Sequence, residues 1–185
     1  IQEEQNGLGD AVLKAESLIN GEAFALLLPD DLLFSKKSCL SQLSSIFLNT
    51  NSSTIAVNKI DKNNIHKYGV IKPGKEKNEA ILIDDIIEKP LEEDAPSDIA
   101  VCGRYIFTST IFDHLKKIEL DKSGEIQLTD AIKSLLSEEQ VYAKIYEGEK
   151  FDCGSKMGFV HATIALALRD ESISQDINKI IKEII

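Results

Sequence analysis

Cysteine and histidine are too scarce and too scattered in this sequence to form a disulfide scaffold or a metal centre of their own. The three cysteines are odd in number and lack metal-ligand spacing, and the three histidines form no cluster. The six residues are Cys39, Cys102, Cys153, His66, His114 and His161. Free thiols are typical of a reducing compartment, so we predict a cytoplasmic protein.

Long apolar runs and an excess of positive charge are also missing. No stretch approaches the ~20 residues that a membrane helix needs, and no signal peptide is visible. The chain has 21 Lys and Arg against 31 Asp and Glu, a net charge of −10. This charge argues against nucleic acid or an anionic membrane as the partner. A phosphate-bearing ligand would have to be received by local positive charge or a metal ion.

The sequence does have the composition of an ordinary globular domain. Its 185 residues are 43% hydrophobic and 28% charged, and a chain of this length buries roughly 70% of its unfolded surface. We predict a single domain over residues 1–185 that ends in a helix over residues 173–185. Because the chain begins at Ile1 without a methionine, we expect it to be a portion of a longer protein.

Alternating apolar patterns predict an α/β fold. An amphipathic helix with one core face is predicted after Asp10 by apolar residues at helical spacing, namely Ala11, Val12, Ala15, Leu18 and Ile19. A buried strand at residues 24–28, a helix at 40–48 capped by Ser35 or Ser38, and a strand at 54–57 alternate as in a parallel sheet. Three further strand patterns, at residues 68–74, 80–87 and 99–107, have no full helix between them and predict a small β excursion. The fold class is therefore a Rossmann-like mixed, mainly parallel sheet flanked by helices.

Carboxylates follow two of the predicted strands. Asp30 and Asp31 come after Pro29 at the end of the first strand, and Asp152 ends a strand more than a hundred residues later. If both strands run the same way in one sheet, Asp30 and Asp152 face one crevice, where two carboxylates suit Mg²⁺ and a phosphate. The alternative is that these aspartates only form turns and cap the following helices.

Eight motifs, in order from Gln2 to about Arg169, resemble the sugar-phosphate nucleotidyltransferases, and among them the bacterial UTP–glucose-1-phosphate uridylyltransferase family. They are Gln2…Gly7-Leu8-Gly9, Leu28-Pro29-Asp30-Asp31, Lys67-Tyr68-Gly69-Val70-Ile71, Glu88-Lys89-Pro90, Ala95-Pro96-Ser97, Gly103-Arg104-Tyr105, Gly124–Ala131 and Asp152-Cys153-Gly154-Ser155-Lys156. Each motif is weak alone, whereas eight in order are a specific signal.

The resemblance implies a nucleotide-diphospho-sugar transferase fold and a magnesium-dependent reaction of UTP with glucose 1-phosphate, giving UDP-glucose and pyrophosphate. It also implies the following roles: Gln2 and Gly7 contact the nucleotide base, Asp30 and Asp152 bind Mg²⁺, Gly69 and Glu88 hold the glucose, Lys89 contacts the sugar phosphate, and Gly103 lies on the strand lining the sugar pocket. The catalytic set is then Asp30, Lys89 and Asp152. The Gly124–Ala131 motif is interpreted as structural or as a subunit contact, in a homo-oligomer (dimer or tetramer) to which the C-terminal helix contributes.

The chain departs from the family pattern in several places. Asp10, Asp98 and Cys102 stand where the family commonly has His, Asn and Val, and no Gly-rich Gly-x-Gly-Thr-Arg triphosphate loop is present. We therefore expect the chain alone to be inactive, as the C-terminal portion of the domain. Two alternatives stay open: a related transferase using dTTP or another sugar phosphate, and a non-catalytic sugar-nucleotide-binding module. The resemblance assigns no ligand role to Asp31, which is left free to cap the next helix.

Overall fold

The structure, a computed structural model, describes residues 1–184, and Ile185 at the end of the predicted C-terminal helix lies outside the described residues. The chain divides into two compact units. The larger unit comprises Ile1–Leu27 and Lys37–Glu147, and the smaller unit comprises Leu28–Lys36 and the chain from Gly148 onward. Among residues 1–184, no helix is both long enough and apolar enough to cross a membrane.

The secondary structure alternates between helices and strands as the sequence predicts. The strands are β1 (Phe24–Leu27), β2 (Asp31–Phe34), β3 (Thr54–Lys59), β4 (Gly69–Lys77), β5 (Ala80–Glu88), β6 (Ile99–Phe107), β7 (Tyr142–Ile145) and β8 (Glu149–Asp152). The helices are α1 (Gly7–Leu13), α2 (Glu16–Ile19), α3 (Cys39–Thr50), α4 (Ile111–Leu115), α5 (Leu128–Leu135), α6 (Lys156–Ala167) and α7 (Ser174–Ile184). Short 3₁₀ turns span Lys62–Lys67 and Glu92–Asp94.

The larger unit is built on a mixed sheet with strand order β1-β6-β3-β7-β5-β4 over the described residues. The predicted mixed sheet flanked by helices is confirmed, but the prediction that it is mainly parallel fails for neighbouring strands. Among the described strands of this sheet, only β3 and β7 pair in parallel, and the other ladders are antiparallel. The reason is that β6 lies between β1 and β3, so the two strands of the predicted crossover are not adjacent. Of the three strands predicted to form a β excursion, β4 and β5 form a long hairpin at one end of this sheet. The third, β6, lies inside the sheet between β1 and β3, so that part of the prediction is wrong.

Strand β1 is less buried than the inner strands of the sheet. The first four residues of β3 are buried, as is nearly all of β6, whereas β1 alternates between half-buried and exposed residues. The prediction of a buried first strand is therefore wrong, because β1 ends the strand order and has β6 as its one described neighbour. Phe24 anchors β1 by stacking on Phe112, with ring centroids 5.1 Å apart, while Leu27 is 47% exposed.

Two helix predictions meet different outcomes. Of the two predicted caps of α3, Ser35 and Ser38, the structure uses Ser38, whose hydroxyl accepts a hydrogen bond from the backbone N–H of Ser41 at 3.2 Å. The continuous helix predicted after Asp10 breaks between α1 and α2, and Leu18, expected on the core face, is 84% exposed. Because the helix is interrupted, the residues of α2 do not continue the regular spacing of α1, and Leu18 does not lie on the face that packs on the core.

The smaller unit joins the antiparallel ribbon β2–β8 to helices α6 and α7. Ser155 caps α6 by accepting a hydrogen bond from the backbone N–H of Gly158 at 3.0 Å. In α7, Ile177 and Ile181 are half-buried on one face. Ile180 and Ile184 are 49% and 78% exposed, so the helix also carries an apolar stripe on its outer side.

Candidate active site

The smaller unit brings together the two aspartates that the sequence predicts as metal ligands. Asp152 ends β8, and the β2–β8 register pairs it with Asp31, the residue after Asp30. The backbone N–H of Cys153 donates to the carbonyl oxygen of Asp30 at 2.7 Å. The expected proximity is therefore found, but the expected route is wrong: an antiparallel ribbon outside the main sheet joins the aspartates, not two parallel strands in one sheet.

Gly154 marks the point on which the two carboxylates converge. A Cβ atom at this glycine would lie 3.2 Å from Asp30 Oδ2 and 3.2 Å from Asp152 Oδ1. The backbone N–H of Gly154 also donates to Asp152 Oδ1 at 3.1 Å, which orients that side chain. Two carboxylate oxygens that face one small space are a donor set of the kind that Mg²⁺ accepts, because Mg²⁺ takes one or two carboxylates and completes its shell with water and phosphate oxygens.

Asp30 and Asp152 supply two carboxylates at this point. Over residues 1–184, no group of three His, Cys, Asp or Glu side chains is arranged to hold a metal ion. An all-protein cage of the kind used for Ca²⁺ or structural Zn²⁺ is thus not formed by these residues. The donor set fits an ion that shares its coordination with a bound substrate.

Asp31 has a different role from its neighbour Asp30. Its carboxylate lies 2.8 Å from the Lys150 ammonium, and both side chains are only 14% exposed. Burial raises the pKa of Asp31, the nearby Lys150 ammonium lowers it, and the charges of Asp30 and Asp152 raise it further. The expectation that Asp31 caps a helix is wrong, because Asp31 begins β2 and its carboxylate forms an ion pair across the β2–β8 ribbon.

In the larger unit, the three predicted sugar-site residues Gly69, Glu88 and Lys89 lie together. Gly69 and Glu88 are register partners at the ends of β4 and β5. Lys89 follows with a left-handed backbone (φ +42°), and its N–H donates to the Tyr68 carbonyl at 3.1 Å. The Lys89 ammonium lies 3.5 Å from Glu88 Oε1. A hydrogen-bond acceptor and a cation are thereby presented side by side.

A cavity of about 630 Å³ opens beside Glu88 and Lys89. Its charged and polar lining includes Glu88, Lys89, Asp121, Gln127, Asp130 and Lys133. Gln127 and Asp130 belong to the Gly124–Ala131 motif, so part of a motif interpreted as structural or intersubunit borders this cavity. Gly103 lies on β6, as predicted, with a left-handed backbone (φ +62°), but it is not part of the described cavity lining.

The carboxylates around the cavity differ in their protonation preference. Hydrogen bonds from the Ser123 hydroxyl, the Glu125 backbone and the Gln127 amide hold the pKa of Asp121 well below its usual range. Burial raises the pKa of Asp130, and the negative charges of Glu88 and Asp121 raise it further. Asp121 therefore serves to shape the loop that borders the cavity, since its oxygens are occupied by that loop.

The residues predicted to contact the nucleotide base also lie together. The Gln2 amide nitrogen donates to the Gly7 carbonyl at 3.0 Å and to Asp10 Oδ2 at 2.8 Å. Asp10, one of the departures from the family pattern, is only 5% exposed, and the hydrogen bond from Gln2 lowers its pKa. With both amide hydrogens engaged, Gln2 can offer its carbonyl oxygen to a ligand.

Comparison with known proteins places these features in context. Residues 1–168 match the family described as "Nucleotidyl transferase". The chain is 42% identical over 183 residues to UTP–glucose-1-phosphate uridylyltransferase 1 of Staphylococcus saprophyticus, covering 99% of this chain and 64% of that protein. A UTP–glucose-1-phosphate uridylyltransferase of Staphylococcus epidermidis is 41% identical over the same share of each chain. The chain thus spans about 64% of the length of these curated relatives.

Solved structures give the same comparison in three dimensions. A UTP-bound UGPase from Acinetobacter baumannii superposes with a TM-score of 0.88 at 33% identity, covering 98% of this chain and 64% of that one. A UDP-glucose pyrophosphorylase complexed with UDP-glucose superposes with a TM-score of 0.86 at 38% identity, covering 89% of this chain and 63% of that one. Both of these solved chains are longer than the present chain.

Proposed function

Since this chain belongs to the nucleotidyl transferase family, we propose that the complete protein joins UTP and glucose 1-phosphate into UDP-glucose and releases pyrophosphate. The observation that carries the proposal is the similarity of 99% of the chain to relatives named for this reaction. The site geometry supports it, because an acceptor–cation pair borders a cavity in the larger unit and two carboxylates converge in the smaller unit.

The reaction needs little covalent participation from protein side chains. A phosphate oxygen of glucose 1-phosphate forms a bond to the α-phosphorus of UTP, and the bond from that phosphorus to the β-phosphate oxygen breaks. Catalysis of such a transfer comes mainly from positioning and charge neutralisation. In this proposal, Glu88 accepts hydrogen bonds from glucose hydroxyls, and the Lys89 ammonium holds the phosphate of the sugar.

We assign the metal role to Asp30 and Asp152. Their oxygens flank the small space beside Gly154, and the donor set suits Mg²⁺. When bound, Mg²⁺ would supply positive charge that neutralises the phosphates as they react. The proposal places the base-contacting role on Gln2 and Gly7, with Asp10 holding the Gln2 amide.

A pyrophosphate-release assay on the complete gene product tests the function. We expect turnover with UTP and glucose 1-phosphate, its loss on addition of EDTA, and its recovery with excess Mg²⁺. Replacing UTP by dTTP, or glucose 1-phosphate by another sugar phosphate, should lower kcat/KM by about tenfold or more, because each polar contact that a substrate fails to make costs that much. Preference for a different pair would favour a related transferase, and absence of turnover with every pair would favour a non-catalytic module.

We also propose that the protein acts in the cytoplasm as a homo-oligomer. None of Cys39, Cys102 and Cys153, all within the described residues, forms a disulfide, which fits a reducing compartment. The exposed isoleucine stripe of α7 supports self-association, since an amphipathic helix with apolar residues on its outer side gains by covering them with a second copy.

Light scattering tests the role of α7 in assembly. We expect a chain ending at Ser172, and the double variant Ile180→Ser/Ile184→Ser, to show a smaller particle mass than the parent protein. Lys182→Ser, on the same helix but outside the stripe, is the matched control and should leave the mass unchanged. An unchanged mass for both α7 variants would contradict a contribution of this helix.

A further inference from the structure

We propose that Thr129 is a positioning residue that fixes the carboxylate of Glu88 for sugar binding. This inference rests on the proposed function, in which Glu88 accepts hydrogen bonds from glucose. It assigns a specific task to the Gly124–Ala131 motif, whose sequence alone indicated only a structural or intersubunit role.

The contact that carries the inference is short and sheltered. The Thr129 hydroxyl donates to Glu88 Oε2 at 2.6 Å, and Thr129 is only 9% exposed. The other carboxylate oxygen, Oε1, lies 3.5 Å from the Lys89 ammonium. The Lys89 side chain is 55% exposed and its ammonium lies at ion-pair distance, so the Thr129 hydroxyl is the closer and more sheltered of the two groups. A short hydrogen bond to Oε2 restricts rotation of the carboxylate and so restricts the directions in which Oε1 can accept hydrogen bonds.

Gly69 provides the room for this hydrogen bond. A Cβ atom at Gly69 would lie 3.1 Å from Thr129 Oγ1 and 3.2 Å from Glu88 Oε2. A side chain there would press on both ends of the hydrogen bond at distances tighter than ordinary van der Waals contact. Gly69, which the resemblance places at the sugar, is therefore also the residue on which the Thr129–Glu88 pair packs.

Thr129 is well supported for this task. It lies in the first turn of α5, whose apolar face is buried at Leu128, Ala131, Ile132 and Leu135. This i, i+3, i+4, i+7 spacing anchors the helix on the core of the larger unit. A hydroxyl on a helix with a locked apolar face is a more rigid donor than one on an exposed loop. The next residue, Asp130, borders the cavity itself.

Loss of the Thr129 hydroxyl should affect the sugar substrate and spare the nucleotide. Glu88 would keep the Lys89 contact alone, so its carboxylate could rotate away from the orientation that receives the sugar hydroxyls. Replacement by valine keeps the size and β-branching of threonine and removes the hydrogen bond. We expect the KM for glucose 1-phosphate to rise about 10- to 30-fold in T129V, as for the loss of a hydrogen bond to a charged group. The KM for UTP should change less than about threefold.

Steady-state kinetics on the complete gene product measure this split. T129S retains the hydroxyl and should restore the KM for glucose 1-phosphate to within about threefold of the parent value. Thr50→Val is the matched control, because the Thr50 hydroxyl donates to the Ile46 carbonyl of its own helix, remote in sequence from α5. T129A serves as a second hydroxyl-free variant if T129V does not fold. In a Glu88→Ala background, T129V should add little further effect, since the Thr129 hydroxyl has already lost its acceptor.

The outcomes separate the two proposals. Turnover of the parent protein with an unchanged KM for glucose 1-phosphate in T129V or T129A overturns the positioning role and leaves the proposed function intact. Equal increases in KM for UTP and for the sugar also overturn it, since that result indicates a general structural defect. Absence of turnover in the parent protein overturns the proposed function itself.

Discussion

Replacing Asp30 with asparagine is expected to lower kcat about 100- to 1000-fold in the complete protein, with a higher Mg²⁺ concentration needed for half-maximal rate. The amide keeps the size of the side chain and the ability of one oxygen to accept a hydrogen bond, but it removes the negative charge. Asp30 Oδ2 and Asp152 Oδ1 face one point beside Gly154. The substitution therefore removes one of the two negative charges that attract the cation. Pyrophosphate release measured across a Mg²⁺ titration checks this expectation.

The neighbouring aspartate supplies the control. Asp31→Asn changes an adjacent carboxylate that is already paired with the Lys150 ammonium at 2.8 Å. We expect this variant to lose stability, by about 2 kcal/mol, because a largely buried lysine loses its counter-charge. Its Mg²⁺ requirement should match that of the parent protein. If Asp31→Asn shifted the Mg²⁺ requirement as far as Asp30→Asn, the division of roles between the two residues would be wrong.

The contrast between these two aspartates shows what the sequence could and could not predict. Ordered motifs were enough to single out Asp30 and Asp152, and the structure places them together. The topology that joins them was predicted wrongly, because the pairing of β2 with β8 links segments more than a hundred residues apart. Local apolar periodicity carries no information about such a register. The role of Asp31 depends on its partner across the ribbon, Lys150, which the sequence does not indicate.

Thr129 illustrates a second kind of limit. The Gly124–Ala131 motif is visible in the sequence, and α5 begins within it at Leu128. Its contact with Glu88 spans 41 positions in sequence. A threonine hydroxyl in the first turn of a helix is ordinarily a local hydrogen-bonding group, so its residue type did not indicate a long-range partner. Only the approach of α5 to the ends of β4 and β5 reveals it.

Apolar periodicity also gives a wrong prediction where a helix ends before the apolar pattern does. The apolar spacing after Asp10 predicts one core-facing helix, but the chain breaks after α1, and Leu18 is 84% exposed. By contrast, the strand predicted at residues 54–57 is found as the buried part of β3, and Ser38, one of the two predicted caps, does cap α3. These signals are contained in short segments: a run of buried β-branched residues, and a hydroxyl three residues before the N–H that it caps.

Gly158→Ala is expected to destabilise the smaller unit, although helix propensity alone predicts the opposite. Alanine is about 1 kcal/mol more favourable than glycine within a helix, and Gly158 lies in the first turn of α6. A Cβ atom at this position would overlap the backbone carbonyl oxygen of Asp152 and press on its carbonyl carbon. Backbone atoms cannot rotate away as a side chain can, so α6 or the end of β8 must move.

The cost of that movement should exceed the gain in helix propensity. We expect a net loss of about 3 kcal/mol, the upper range for an overpacked site, and a Tm lower by roughly 6–12 °C in a thermal melt. Gly154→Ala is the matched control, because its Cβ would meet mainly the flexible carboxylates of Asp30 and Asp152 at 3.2 Å. It should leave the Tm within about 3 °C and instead raise the Mg²⁺ requirement. An unchanged or higher Tm for Gly158→Ala would mean that α6 does not pack against the Asp152 backbone, the same residue that presents one of the two converging carboxylates.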